Sequence, residues 1–232
     1  MISVTNDTYQ FNTGGGFYME NRAIIVPSSF SKKIALRVIP GHFATTHSHI
    51  NCYIDISKLK INQEDAKECA AKMASNYTMT TQIDTIVCMD GMEVMGAYLA
   101  DALTQNGYRS VNANSSLSII SPEIDFNRQM IFRDNVESAV YGKNVLILLA
   151  SATTGKTIRR CIECVTYYGG KVTAISAVFS DLEEIDGYKI DRLFSGNDIP
   201  GGYQAYTPSE CPFCERRQRL DALVNSFGYS RL

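Results

Sequence analysis

No stretch of this 232-residue chain is rich in lysine or arginine, and the formal net charge is only -2. Long-range attraction to a nucleic-acid backbone is therefore excluded as the force that would drive binding. No continuous apolar run approaches the roughly 20 residues of a membrane helix, and the polar opening Met1–Gln10 lacks the apolar centre of a signal peptide. The expectations are a cytoplasmic location, no membrane partner and no nucleic-acid partner. Seven cysteines, odd in number and scattered, argue against an extracellular disulfide framework. One local absence is as informative: no carboxylate occurs between Lys143 and Lys156. Chemistry that needs an acid or a metal ligand at the end of that segment must draw it from elsewhere in the chain.

What is present is an ordinary globular composition, 45% hydrophobic, long enough for one substantial core or a core with a small subdomain. Residues 1–33 read as an N-terminal arm or cap, with the Gly14-Gly15-Gly16 turn and a short apolar run, Ile24–Val26, stopped by Pro27. Ile34–Ile39 and Cys52–Ile56 have strand character. Asn62 or Gln63 opens a helix reaching about Met79, with Ala66, Cys69, Ala70 and Met73 as its apolar stripe.

A strand–helix rhythm follows. Ile83–Met89, Ser110–Ala113, Val145–Leu149 and Lys171–Phe179 read as strands. Glu93–Asn106 and Thr157–Tyr168 read as helices, closed by Gly107 and by Gly169-Gly170. This pattern predicts an α/β fold, a mostly parallel open sheet with helices on both faces, occupying residues 34–180. Residues 181–232 read as a C-terminal cap that contains a Cys-Pro-Phe-Cys turn and a final helix over Glu215–Phe227, apolar at Leu220, Leu223 and Val224.

Ligands of open parallel sheets collect beyond the C-terminal ends of strands, where helix N-termini meet anions. Two loops qualify. In the first, Thr153, Thr154 and Thr157 offer hydroxyls, Gly155 permits close approach and Lys156 adds a positive charge. Helix capping explains one threonine well and three poorly, so the loop reads as an anion site. It is not the ATP-type phosphate loop, because Ala150 stands where that pattern requires glycine. The second loop is Asp90-Gly91-Met92-Glu93, whose small turn suits another anion and whose acids suit Mg2+. Asp and Glu in a first helical turn are also ordinary partners of the helix dipole.

All three histidines fall within residues 42–49, and His47 and His49 would share a face of an extended chain as a metal pair. Lining of a ligand site or an ordinary surface loop competes with that reading and is preferred. Cys211 and Cys214 have the spacing of half a zinc knuckle, and Cys161 and Cys164, three apart on a helix, would complete a four-thiolate Zn2+ site. A turn together with core packing is the simpler account of the same cysteines.

At the two loops the chain resembles the type I phosphoribosyltransferases, those of the orotate type most of all. Thr153-Thr154-Gly155-Lys156-Thr157 matches the end of the family signature, with Ser151 and Ala152 at its two small positions. Leu149 and Ala150 stand where the family has adjacent acids. Ile83–Gly96 is similar to the family's pyrophosphate loop and following helix. Gly41-His42-Phe43 with Ser48, Asn51, Tyr53 and Asp55 resembles the segment that helps form the orotate-type base site, His47 replacing its first serine. Arg133 sits near the family's Arg-Lys pair, and no lysine or histidine occurs between it and Gly142.

The resemblance implies a transferase of pyrimidine nucleotide metabolism. In such an enzyme Thr153–Thr157 would bind the 5-phosphate of phosphoribosyl pyrophosphate and Asp90, Gly91, Met92 and Glu93 its pyrophosphate. A pyrimidine-like base would lie against Phe43, His47, Ser48 and Tyr53. The resemblance also implies Mg2+, catalytic parts for Arg133 and Asp90, and a homodimer. The alternative is a non-catalytic relative that binds a ribose phosphate or nucleotide as a sensor or partner subunit, because Leu149 and Ala150 offer no side-chain hydrogen bond to a ribose.

Overall fold

Burial is nearly continuous along Thr85–Cys88, Asn144–Ala152 and Lys171–Ser180, and these three strands lie side by side at the centre of one sheet. The computed structural model describes residues 19–105, 110–127 and 129–232. Ile24–Pro27 (β1), Ala35–Ala44 (β2) and His49–Asp55 (β3) come first, followed by the helices Ser57–Ile61 (α1) and Gln63–Ala74 (α2). Next are Thr85–Cys88 (β4), Glu93–Gln105 (α3), Ser118–Ile120 (β5), the hairpin Glu123–Ile124 (β6) with Met130–Ile131 (β7), and Asp134–Glu137 (α4). Asn144–Ala152 (β8), Lys156–Tyr167 (α5) and Lys171–Ser180 (β9) continue the core. The chain ends with Glu184–Ile185 (β10), Tyr188–Phe194 (β11), Ala205–Tyr206 (β12), Pro212–Glu215 (α6), Ala222–Asn225 (β13) and Gly228–Arg231 (β14).

The first sheet has the order β10-β11-β9-β8-β4-β5, and every neighbouring pair except β10–β11 is parallel. Its central strands are buried on both faces, as parallel strands under helices must be. Leu146 and Leu148 of β8 pack with Met73 of α2 and Leu99 of α3. The intervening Ile147 and Leu149 face Ile158, Cys161 and Val165 of α5. This is the expected open parallel sheet with helices on both faces. Asn62 starts α2 as its sequence predicts, its Oδ1 accepting from the N–H groups of Glu64 and Asp65. Among the described residues no helix is long and apolar enough to cross a membrane.

The second sheet, order β12-β3-β2-β13-β14 with β1 also on β2, forms a hood. Pro40 and Gly41 do not end the β2 strand. Pro40 still pairs with Cys52, and the register shifts before Phe43 pairs with Ile50, so a bulge at Gly41 and His42 carries the strand onward. Residues 35–55 thus lie in the hood sheet, while Tyr188–Phe194, well beyond Ser180, is a strand of the parallel sheet.

Two expected elements are replaced. Ser110–Ala113 is a turn, and the strand beside β4 is Ser118–Ile120. The buried Asn112 amide explains it: Oδ1 accepts from Ile83 N–H at 2.9 Å and Nδ2 donates to the Thr81 carbonyl at 2.9 Å, so this segment caps the start of β4 rather than pairing with it. The final helix over Glu215–Phe227 is the hairpin β13–β14. Arg217, at φ 56°, ends α6, and burial then alternates with Ala222 and Val224 inward and Leu223 outward. Parallel pairing of Ala222 and Leu223 with Phe43 and Ala44 imposes that period of two. The Gly14–Gly16 turn and the Gly107 helix stop lie outside the described residues.

Candidate functional site

A cleft of about 320 Å³ opens where the C-terminal ends of β4 and β8 meet the hood. Its floor is the β8–α5 loop, Ser151 to Ile158. Asp90 forms one wall, and Thr45–Ser48 with Ile50 and Tyr53 form another. Cys52 and Ile54 of β3, Phe179, Tyr203 and the β13–β14 turn at Val224–Ser226 complete the lining.

The floor has the form an anion requires. Gly155 takes φ 71° to enter α5, and a Cβ there would lie 2.3 Å from Ile185 Cδ1, so both backbone and space favour glycine. No side chain caps α5. The threonine cap offered by the sequence is therefore absent, and the first amides of the helix lie at the cleft floor with the positive end of its dipole. Thr154, Lys156 and Thr157 are exposed, and Thr153 is half-buried beside the Tyr203 hydroxyl.

Asp90 and Gly91 both take positive φ, 59° and 77°, forming the turn from β4 into α3. Lys60 on α1 is bonded over this turn, its Nζ donating to the carbonyls of Asp90 and Ser226, each at 2.8 Å. It thereby joins the parallel sheet to the hood. Burial raises the Asp90 carboxyl pKa, against the opposing pull of the Ser226 side chain and the Lys60 charge, while Glu93 adds to the rise.

Of the residues singled out in the sequence, Thr153, Thr154, Gly155, Lys156, Thr157, Asp90, His47, Ser48 and Tyr53 line one cleft. Others do not. Gly91 is outside the lining, Met92 is buried against α2 and α3, and Glu93 turns away to accept from Ser121 Oγ at 2.7 Å. Phe43 is buried in the hood core. Arg133 forms a two-pronged bond to Glu123, both contacts 2.7 Å, away from the cleft. Leu149 is fully buried on the α5 side and Ala150, 5% exposed, on the α2–α3 side. Asp90 is the one carboxylate in the described lining.

Tyr203, Lys60 and Asn225-Ser226 were not legible as site residues. Tyr203 follows two glycines in a loop held by Asn51, whose Nδ2 donates to the Gly202 carbonyl and whose Oδ1 accepts from Gln204 N–H. Burial pushes its hydroxyl pKa up. Asn225 and Ser226 reach the cleft only because the expected helix is a hairpin.

Cys161 and Cys164 are core residues, as the simpler reading of the sequence has it, and do not join Cys211 and Cys214 in a four-thiolate group. Burial in the α5 core raises both thiol pKa values, that of Cys164 to about 11. Cys211 and Cys214 meet His42 and His49 instead, the ligand atoms of all four lying within 4.8 Å of one another. His47 is not in that cluster but at the cleft.

This architecture, a parallel α/β sheet with its cleft at the strand ends under a hood, defines the fold as that of the type I phosphoribosyltransferases. Among solved structures the chain is similar to the UMP synthase of Leishmania donovani, with a TM-score of 0.50 at 16% identity over 68% of this chain and 33% of that one. It is also similar to a phosphoribosyltransferase from Corynebacterium diphtheriae, TM-score 0.46 at 13% identity over 78% and 93% of the two chains. The Mycobacterium tuberculosis orotate phosphoribosyltransferase gives 0.47 at 14% over 70% and 91%. No protein-family model matches the chain, and no curated protein sequence matches it.

Proposed function

We propose that the cleft binds phosphoribosyl pyrophosphate and that the protein is a divergent phosphoribosyltransferase of the orotate type, acting on a pyrimidine-like base. The observation that carries this reading is the α5 N-terminus: an uncapped helix end, entered through a glycine at φ 71°, beside three threonines and Lys156. The 5-phosphate would accept from those amides and hydroxyls. The pyrophosphate would lie toward Asp90, with Lys60 supporting the turn. Asp90 suits Mg2+, an ion ordinarily held by one or two carboxylates together with ligand phosphates, which would offset the charge of the leaving pyrophosphate. A planar base would enter between His47, Ser48 and Tyr53. Transfer of phosphoribose through an oxocarbenium-like transition state asks mainly for positioning and charge stabilisation, and these groups offer both. The homodimer and cytoplasmic location implied by the resemblance belong to the same proposal.

One observation favours a second reading, a ribose-phosphate sensor or partner subunit without turnover. Leu149 and Ala150 are buried in two separate cores, so neither faces a ribose.

Calorimetry with phosphoribosyl pyrophosphate and Mg2+, followed by a screen of pyrimidine-like bases for pyrophosphate release, separates the two. Binding with release supports the transferase, and tight binding without release under any base leaves the sensor. Replacing Thr154 and Thr157 by Val should lower affinity more than tenfold for each hydrogen bond to the phosphate that is lost, at about 1.5–3 kcal/mol each. Unchanged affinity in a folded double variant would place the phosphate elsewhere, and no binding of any ribose phosphate by the parent would defeat both readings.

A further inference from the structure

The hood carries a second cluster of chemically able side chains, separate from the cleft lining. His42 lies in β2 and His49 begins β3, so the β2–β3 turn brings them together. Cys211 and Cys214 flank the start of α6, 169 and 165 positions away from their histidine partners. His42 Nε2 is 3.0 Å from His49 Nδ1, 3.4 Å from Cys211 Sγ and 3.7 Å from Cys214 Sγ, and Cys214 Sγ is 3.3 Å from His49 Nδ1.

Hydrogen bonding does not account for this convergence. His42 Nδ1 lies 3.0 Å from the Gln218 carbonyl, which can only accept, so the ring proton belongs on Nδ1 and Nε2 keeps a single lone pair. That lone pair faces three neighbours, and one pair of electrons serves one donor well. A cation at the centre would take one lone pair from each of the four atoms. The spacing suits it: tetrahedral zinc with Zn–N of about 2.0–2.1 Å and Zn–S of about 2.3 Å separates its ligand atoms by roughly 3.3–3.8 Å. Two thiolates and two imidazoles are the donor set of zinc rather than of Mg2+, Ca2+ or Mn2+. The Gln218 carbonyl is the outer partner that zinc-bound histidines ordinarily have, and the Phe213 ring stacks on His42 with centroids 5.2 Å apart.

We propose that His42, His49, Cys211 and Cys214 form a closed, four-coordinate zinc site that fastens the C-terminal segment to the β2–β3 hairpin. Its place in the fold gives it a purpose. The hairpin tip between the two histidines supplies Thr46, His47 and Ser48 to the cleft, and the chain leaving α6 becomes β13, whose Val224 and Asn225 line the same cleft. The metal holds two walls of the cleft in register without touching its contents. It is structural, because all four positions are filled by protein.

The test is made on the full chain, purified without added metal and without a polyhistidine tag. Emission spectroscopy should find about one zinc per chain. Cobalt(II) added to chelator-stripped protein should give the visible bands of a tetrahedral ion together with sulfur-to-cobalt charge transfer. Cys214→Ser and His49→Ala should each lose stoichiometric zinc, whereas the double variant Cys161→Ala, Cys164→Ala should keep it. The cobalt spectrum of the unaltered chain decides the matter if the ligand variants do not fold. Zinc retained by both ligand variants, absence of both zinc and a tetrahedral cobalt spectrum, or a Cys211–Cys214 disulfide in freshly prepared protein would each overturn the proposal.

Discussion

His42 and Asp221 are bonded to each other twice: the His42 N–H donates to Asp221 Oδ2 at 2.8 Å, and the Asp221 N–H donates to the His42 carbonyl at 2.7 Å. The same carboxylate accepts from Arg22 at 2.6 Å, and its Oδ2 would lie 2.4 Å from a Cβ at Gly41, so the approach requires glycine there. Asp221 thus locks the C-terminal segment onto β2 immediately before β13. Asp221→Ala should cost about 1–3 kcal/mol, the range for a part-buried hydrogen-bonded charge left without its partner. Asp221→Asn, which keeps an acceptor oxygen, should cost less. Urea unfolding of both variants checks this, and equal losses would show that the acceptor is not what matters.

Gly155→Ala should destabilise the chain by about 1–2 kcal/mol from left-handed backbone alone, and further because Ile185 Cδ1 must move. Thermal unfolding should show the loss, and ligand affinity should fall with it as the entry to α5 shifts. An unchanged midpoint would mean that the loop has another conformation.

Asp90 gives stability a pH dependence of definite sign. Its folded pKa lies above the ordinary value because burial disfavours the charged form, so the folded chain holds this proton more tightly than the unfolded chain does. Its contribution therefore falls as pH rises from the ordinary carboxylate value, about 3.9, through the raised folded value. Asp90→Asn removes the titration and, as asparagine, tolerates φ 59°. The variant should be more stable than the parent above that window, with the difference closing below it. Denaturant midpoints across the acidic to neutral range measure this, and a constant difference would show that Asp90 does not titrate as argued.

A carboxylate introduced at position 149 should not produce pyrophosphate release. Leu149 is fully buried against α5, so Leu149→Asp loses packing and buries a charge, a cost on the order of 3–5 kcal/mol. Circular dichroism and thermal melting should register destabilisation before any assay is attempted. A stable variant with gained pyrophosphate release would show that position 149 can reach the ribose after all.

Much of the core was legible because its signals are local. The α2 stripe Ala66, Cys69, Ala70 and Met73 is buried as its spacing predicts, the Asn62 cap forms, and the apolar run through Val145–Leu149 becomes a doubly covered parallel strand. These depend on residues within a few positions of one another. The threonine-rich loop after β8 was legible for the same reason, since a strand end, a glycine and a helix start are contiguous. Its lack of a side-chain cap was not, because the helix starts at Lys156 rather than Thr157, and the cap position falls on Gly155, which has no side chain.

Tertiary structure alone decided the rest. Ala222, Leu223 and Val224 carry apolar side chains that suit a helix or a strand, and the edge of β2 selects the strand by offering backbone partners to Ala222 and Leu223. Pairing across some 180 residues has no local signature. The same long-range pairing brings Cys211 and Cys214 to His42 and His49, a meeting that no spacing along the chain announces. The sequence by itself determined which segments bury an apolar face and where a strand end, a glycine and a helix start adjoin; only the folded chain decided which distant segments share an edge, because that choice depends on backbone groups every residue possesses.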